Sequence, residues 1–192
     1  MTRFASTLSR TLLGAGAALA LVGPSSAEAQ VGTQSNAVTV ALTATKNATI
    51  SLTAASSALA LTGGIVDNSN ANQFPPLNVT LDWTLLSGSS LQLVGWFGTG
   101  TQALANGTNF IPSSRVEGKL STAATWSPFS GAAVGGTGVA GSSLVLENIA
   151  LSAANLTSTA TRTVDLRLNL AGAPNTVAGD YTGTLNLRAV VQ

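Results

Sequence analysis

The feature that most constrains this fold is a two-residue alternation of apolar and polar side chains near the end of the chain. One run covers residues 163–170 and a second covers residues 181–191. A period of two is typical of a β-strand with one buried face and one wet face. Residues 171–180, which include Pro174 and Gly179, predict a loop between them. We expect the two runs to form a hairpin whose last strand, including Leu187, is central to the core.

The first 29 residues have the three parts of a secretory signal peptide. Arg3 and Arg10 supply the positive region, residues 12–22 are apolar, and Ala27-Glu28-Ala29 is a small-x-small cleavage site. The alternative is a buried N-terminal helix. The apolar run is too short to span a bilayer, and no later stretch is long enough. We predict cleavage after Ala29, leaving residues 30–192 as one domain.

The charge balance argues against binding to nucleic acid or to an anionic membrane surface. The chain has 8 Lys and Arg against 7 Asp and Glu, and removing the leader takes two Arg and one Glu, which leaves a neutral protein. It has no Cys and no His, so disulfides and the usual ligands of zinc and haem are missing. We therefore expect no metal and no cofactor.

Shorter alternating runs and turn signals recur along the rest of the chain. We interpret residues 79–85 and 91–97 as a hairpin around a four-residue loop, and expect a bulge near Glu147. The Gly-rich residues 129–143 predict a surface loop without core residues. The chain therefore has about eight or nine predicted strands. This number indicates an all-β protein whose architecture is an antiparallel β-sandwich. The remaining predicted strands are 38–42, 49–53, a short strand at 59–61, 116–120 and 144–151.

Two glycine motifs and one acidic motif are weak as binding sites. Residues 98–103 and 136–141 approach the G-x-G-x-x-G pattern, but neither precedes the helix that a dinucleotide site needs. Residues 67–72 resemble part of a calcium loop, but Asp67 is their only carboxylate, so an Asx-rich turn is the better interpretation.

No arrangement of residues suggests catalysis. A Ser nucleophile has no His base, and a Ser–Lys pair would need Lys46 or Lys119. Lys119 falls on a predicted solvated strand face beside Arg115 and Glu117. The acids of the mature chain are scattered, whereas a glycoside hydrolase needs two that converge. We therefore expect that the protein is not an enzyme.

Three tryptophans leave a binding role open. Trp83 alternates with core residues and is expected to be buried, whereas Trp96 and Trp126 could stack on a ligand such as a glycan. The alternative to a structural role is therefore a secreted ligand- or glycan-binding β-sandwich module.

Both ends of the chain resemble a known family. Residues 38–53, followed by Leu59, Leu61 and Gly63, resemble the opening of spore coat protein U-like domains and related chaperone–usher pilin subunits. Residues 178–187, Ala-Gly-Asp-Tyr-Thr-Gly-Thr-Leu-Asn-Leu, are similar to the final strand of that family. The family commonly has a Cys where this chain has Ala48. The resemblance implies an immunoglobulin-like sandwich, export, and assembly into surface fibres or coats by strand donation.

One segment could make the contact between subunits. Val38, Val40 and Leu42 alternate with polar residues and follow a short polar stretch after the cleavage site. Such a strand can close its own sandwich or add to the edge of a neighbour's sheet. We expect an exported pilin- or coat-like subunit at the cell surface that associates with itself or with other surface subunits.

Overall fold

The computed structural model describes residues 41–192, and these residues form an all-β structure with antiparallel sheets, as predicted. The predicted leader, together with Val38 and Val40, lies outside the described residues. Residues 41–48 are not in a strand, and the Leu42 side chain is 91% exposed. The described part has eleven strands, more than the predicted eight or nine: β1 Thr49–Ala54, β2 Asn72–Gln73, β3 Leu77–Thr84, β4 Ser90–Trp96, β5 Leu104–Asn106, β6 Asn109–Ile111, β7 Val116–Leu120, β8 Ser127–Pro128, β9 Ser143–Ala150, β10 Thr157–Leu168 and β11 Asn186–Val191.

The strands form two main sheets and a small hairpin. The larger sheet has the order β1-β3-β10-β7-β8, with β2 also paired to β10. The smaller sheet has the order β11-β4-β9, and β5 pairs with β6. The helical content of the described residues is one 3-10 turn, Ser113–Arg115, so no helix in residues 41–192 could cross a membrane.

The inner faces of the two sheets share one core, and the alternating runs supply most of it. Every second residue of β3 is buried, and Trp83 is 5% exposed, as its position in the run predicted. Its indole N–H donates to the Asn155 carbonyl at 2.8 Å, which satisfies the polar end of the ring. The run at residues 163–170 is equally well predicted: its buried members are Val164, Leu166, Leu168 and Leu170.

Both predicted hairpins are wrong, although the strands themselves exist. β3 belongs to the larger sheet and β4 to the smaller one, and the same division separates β10 from β11. Leu85 and Leu91, on either side of the first turn, are both buried. A chain that crosses between two packed sheets keeps its apolar side inward, just as a hairpin does, so alternation cannot distinguish the two connections.

The ends of several strands also differ from prediction. The final strand begins at Asn186 and is an edge strand of its sheet. Leu187 packs on the core but is only half-buried, so the strand is not central to the core as predicted. β10 begins at Thr157, before the alternating run that starts at residue 163. Leu59 and Leu61 form no strand, but both pack on the core. The bulge near Glu147 is confirmed, since the register of β4 with β9 shifts between Leu93 and Val94.

The Gly-rich stretch at residues 129–143 contributes to the core, contrary to prediction. Phe129 is fully buried and meets Phe97 edge to face, with 5.2 Å between ring centroids. Gly95 of the smaller sheet and Gly118 of the larger sheet make room for its ring, since a Cβ would lie 2.9 Å and 3.1 Å from it. An aromatic side chain between the sheets thus requires a glycine on each side.

Buried serines order the rest of this stretch. Ser142 donates to the carbonyl of Phe97 at 2.7 Å, and Ser113 donates to the carbonyls of Gly100 and Gly141 at 3.1 Å and 2.9 Å. A Cβ on Gly100 would lie 2.8 Å from the Gly141 carbonyl oxygen. These two glycines, one from each dinucleotide-like motif, therefore serve the close approach of two loops.

Candidate functional site: an apolar groove between two sheet edges

The described chain has an apolar groove of about 910 Å³. One wall of the groove is β1 with the residues that follow it. The other wall is the strap, which we define as residues 176–185, together with the start of β11. Its lining includes three core residues of the larger sheet and the core residue that follows β4: Leu77, Leu166, Leu168 and Phe97. The groove thus opens the core on the side where β1 and β11 are the sheet edges.

The first wall is β1 and the chain after it. Within the described residues β1 pairs with β3 alone, so its other backbone edge has no strand partner there. Leu52 and Ala54 line the groove, and Leu59 and Leu61 continue the apolar surface while remaining half-buried. Gly63 and Gly64 then turn the chain at φ values of 90° and 80°, which favour glycine.

The second wall is the strap and β11. In the described part of the chain β11 pairs with β4 alone. Tyr181, Leu185 and Leu187 line the groove, and all three are half-buried. Residues 177–180 and 182–184 also line the groove but are exposed. Two strands that are sheet edges within residues 41–192 thus flank one apolar space.

Three contacts hold the strap. Asp67 accepts hydrogen bonds from the backbone N–H and the hydroxyl of Thr176, at 2.9 Å and 2.7 Å. The backbones of Thr182 and Ala105 exchange two hydrogen bonds of 2.8 Å and 3.0 Å, and Asn106 donates to the Ala178 carbonyl at 3.3 Å. The N–H and hydroxyl donors of Thr176 lower the pKa of Asp67 from its ordinary 3.8.

The stretch at residues 67–72, which resembles part of a calcium loop, forms a hydrogen-bond network of Asx side chains. The buried Asn72 accepts from the Val66 N–H at 2.7 Å and donates to the Val66 carbonyl at 2.9 Å. Asn68, at φ 52°, accepts from the Gly172 N–H at 2.9 Å. The Asp67 carboxylate thus binds Thr176, and the amides of Asn68 and Asn72 bind backbone groups. No group of three acidic, His or Cys residues occurs in residues 41–192.

The two tryptophans predicted as stacking candidates lie against different sheets. Trp96 belongs to β4, and the Arg188 guanidinium lies 5.8 Å from its ring centroid. Trp126 precedes β8, with Arg167 at 4.5 Å and Lys119 at 5.2 Å from its ring centroid. Both rings are half-buried and already contact cations, and they do not form one shared platform.

The charges of β7 are paired, whereas the sequence predicted a freely solvated face. Glu117 accepts from Arg167 at 2.6 Å and from Asn169 at 2.8 Å. Lys119 lies 3.9 Å from Asp165 and donates to the Ala123 carbonyl at 2.8 Å. These side chains stabilise the pairing of β7 with β10, and Trp126 covers them.

A further ion pair joins the two sheets on the side of β9. Arg162 of β10 lies 2.6 Å from Glu147 of β9, and their side chains are 33% and 14% exposed. The other carboxylate oxygen of Glu147 is buried without a partner. The signal for this pair was present in the sequence, because Arg162 has the same parity as the buried Val164 and therefore points inward.

The sequence did not predict the groove, because residues 59–61 and 181–191, which contribute to its walls, were assigned to strands of the packed core. Of the predicted intersubunit residues, Leu42 is exposed, and Val38 and Val40 lie outside the described residues. Comparison of the chain with protein-family models, with curated proteins and with solved structures found no match.

Proposed function

We propose that this protein is an exported structural subunit that assembles when a strand of one copy enters the groove of another. The observation that carries the proposal is an apolar groove bounded by two sheet edges whose outer backbone has no strand partner within residues 41–192. An added strand gains hydrogen bonds to such an edge and places every second side chain in the apolar space.

The occupant we propose is residues 31–43 of a second copy. Val38, Val40 and Leu42 recur every second residue, so in a strand their side chains would be about 6.6 Å apart on one face. Leu185 and Leu187, two residues apart, line the groove where β11 begins, and residues 31–43 are long enough to follow that edge. Leu42 is 91% exposed, so it is available to a partner.

Two further features support an exported subunit. The leader at residues 1–29 would direct the chain out of the cytoplasm, and mass spectrometry of the exported protein should find a first residue of Gln30. A mature form that retains Arg10 would contradict export. The two-sheet architecture is compatible with the immunoglobulin-like sandwich of pilin and spore-coat subunits, and we propose that arrangement for this chain.

The deciding experiment compares the mature protein, residues 30–192, with a variant in which Val38, Val40 and Leu42 are all replaced by Thr. Threonine keeps the β-propensity of the segment and removes its apolar bulk. In sedimentation velocity the wild type should form oligomers and the triple-Thr variant should be monomeric. A synthetic peptide of residues 31–43 should bind the triple-Thr variant, and a peptide carrying the same three Thr should not.

A substitution in the groove gives the complementary test. Leu187→Gln should weaken peptide binding because Leu187 lines the groove. Val145→Gln is the matched control, since Val145 is 39% exposed and does not line the groove. A wild type that stays monomeric at every concentration and ignores the peptide would overturn the proposal.

The volume of the groove supports one alternative, a ligand-binding module. About 910 Å³ lies within the range of about 300–1,000 Å³ found for small-molecule sites. A monomeric protein that binds an apolar small molecule, and loses this binding in Leu187→Gln, would favour this function. Glycan stacking at Trp96 or Trp126 would instead be abolished by Trp→Ala at one of these positions.

A further inference from the structure

The strap has little regular backbone pairing. Among the described residues, its only β-bridge is the one between Ala105 and Thr182. Residues 177–180 are exposed, and Gly179 has a φ of 142°, which side-chain-bearing residues rarely adopt. Segments with exposed backbone and few ladder hydrogen bonds open more easily than core strands. The strap is therefore the wall of the groove most able to move.

One polar contact joins the two walls of the groove. Thr176 starts the strap and lines the groove, and Asp67 follows Ile65, which lines the opposite wall. The Asp67 carboxylate accepts both the N–H and the hydroxyl of Thr176, so a single side chain makes two hydrogen bonds between the chain after Ile65 and the start of the strap. Charge-assisted hydrogen bonds of this kind are stronger than neutral ones.

The neighbouring contacts make the position of this carboxylate specific. The Asn68 side chain accepts a hydrogen bond from the Gly172 N–H at 2.9 Å, and the Ser69 carbonyl accepts one from the Leu170 N–H at 2.8 Å. The loop that carries Asp67 is thus fixed to the end of β10 and the chain after it. Beyond Thr176, the next backbone hydrogen bonds of the strap are those of Ala178 and Thr182.

We propose that the Asp67–Thr176 contact controls entry into the groove: while it is intact the strap closes the groove end, and its loss frees the strap to admit an occupant. This inference rests on the proposed function for the identity of the occupant, residues 31–43 of a second copy. Control of entry itself depends only on the groove and the strap. The contact then acts on the rate of assembly, because entry requires the strap to move.

The test uses the mature triple-Thr variant defined above, with and without Asp67→Ala. Access to the groove is measured with the dye 1-anilinonaphthalene-8-sulfonate, which reports exposed apolar surface. Hydrogen exchange of the strap amides reports its opening. Asp82→Ala is the matched control, because Asp82 is an exposed carboxylate on β3 outside the groove lining. Thr176→Val, which keeps the backbone hydrogen bond and removes the hydroxyl, is the milder variant if Asp67→Ala folds poorly.

We expect Asp67→Ala to raise strap exchange and the association rate of the 31–43 peptide by about fivefold each, and to increase dye binding, with no change in Asp82→Ala. Unchanged exchange and dye binding in Asp67→Ala and in Thr176→Val would overturn the inference, even if the peptide binds. If exchange and dye binding rise but the peptide binds none of the proteins, control of entry is supported and the assembly proposed above fails.

Discussion

Phe129→Ala offers the sharpest test of the packing described for the core. Phe129 is fully buried although it opens a stretch of Gly, Ala, Ser and Thr. Its ring lies between Gly95 and Gly118 of the two sheets and meets Phe97 edge to face. The substitution removes the aromatic ring that fills the space between two glycines, and neither glycine has a side chain that could move into it.

The expected loss of stability is about 3–5 kcal/mol, the usual range for a buried Phe→Ala change. About 0.5–1.5 kcal/mol of this is the edge-to-face contact with Phe97. The Phe129 N–H donates to the Val116 carbonyl at 3.0 Å, so the backbone at this site is held in place and resists collapse. The loss should therefore lie in the upper half of the range.

Urea unfolding of the mature protein, followed by circular dichroism, measures the change. Phe110→Ala is the matched control, because Phe110 is 44% exposed and its loss should cost less than about 1 kcal/mol. Equal losses for the two variants, at equal m-values, would refute the placement of Phe129 between the sheets.

A double-mutant cycle tests the same packing independently. A Cβ on Gly118 would lie 3.1 Å from the Phe129 ring, so Gly118→Ala should cost about 1–3 kcal/mol in the wild type. In the Phe129→Ala background this clash with the ring is absent, and the cost should fall. Additive losses would mean that the two residues are not in contact.

Three further predictions follow from burial and charge. Leu187→Ala should cost about 1–2.5 kcal/mol in urea unfolding, roughly half the cost of Leu168→Ala, because Leu187 is half-buried and Leu168 is fully buried; equal costs would contradict the edge position of β11. Glu147→Ala should cost about 1–3 kcal/mol because it leaves the inward-facing Arg162 unpaired. Replacing both residues by Leu should cost less than this single change. A larger loss of stability in the double variant would contradict an ion pair between the sheets. The pKa of Asp67 is lowered from 3.8, so the contribution of Asp67 to stability is present above pH 3.8 and is lost as the pH falls through the lowered pKa. The urea unfolding curves of the wild type and of Asp67→Ala should therefore converge in acid. A difference in stability that stays constant with pH would contradict the contact with Thr176.

The sequence could predict which residues face inward far better than which strands are neighbours. Alternation identified the buried faces of β3 and β10, and the interruption at Glu147 identified the bulge of β9. Burial on one face depends on local parity, which the sequence displays directly. Pairing depends on how the chain leaves each strand, and the turns after β3 and after β10 carry no signal that separates a hairpin from a crossing between sheets.

One buried side chain could not be predicted because its partners are distant in sequence. Phe129 is surrounded by small residues in the chain, and its place in the core depends on the glycines of β4 and β7. The position of Arg162 was different, because its parity with Val164 indicates that it points inward, where it meets Glu147. For Phe129 local composition pointed outward, and a long-range contact decided the outcome.

The groove follows from the same crossing of strands. Because β10 and β11 join different sheets, the apolar side of the final run lines the gap between two edges, and its Leu187 stays half-buried. Leu59 and Leu61 are half-buried on the other side of the same space. Full burial of a leucine side chain contributes about 1.5–3 kcal/mol, so a strand that brings three apolar side chains into the groove gains from its own burial and completes that of both walls. This gain is the physical basis for our proposal that residues 31–43 of a second copy, whose apolar residues alternate, fill the groove.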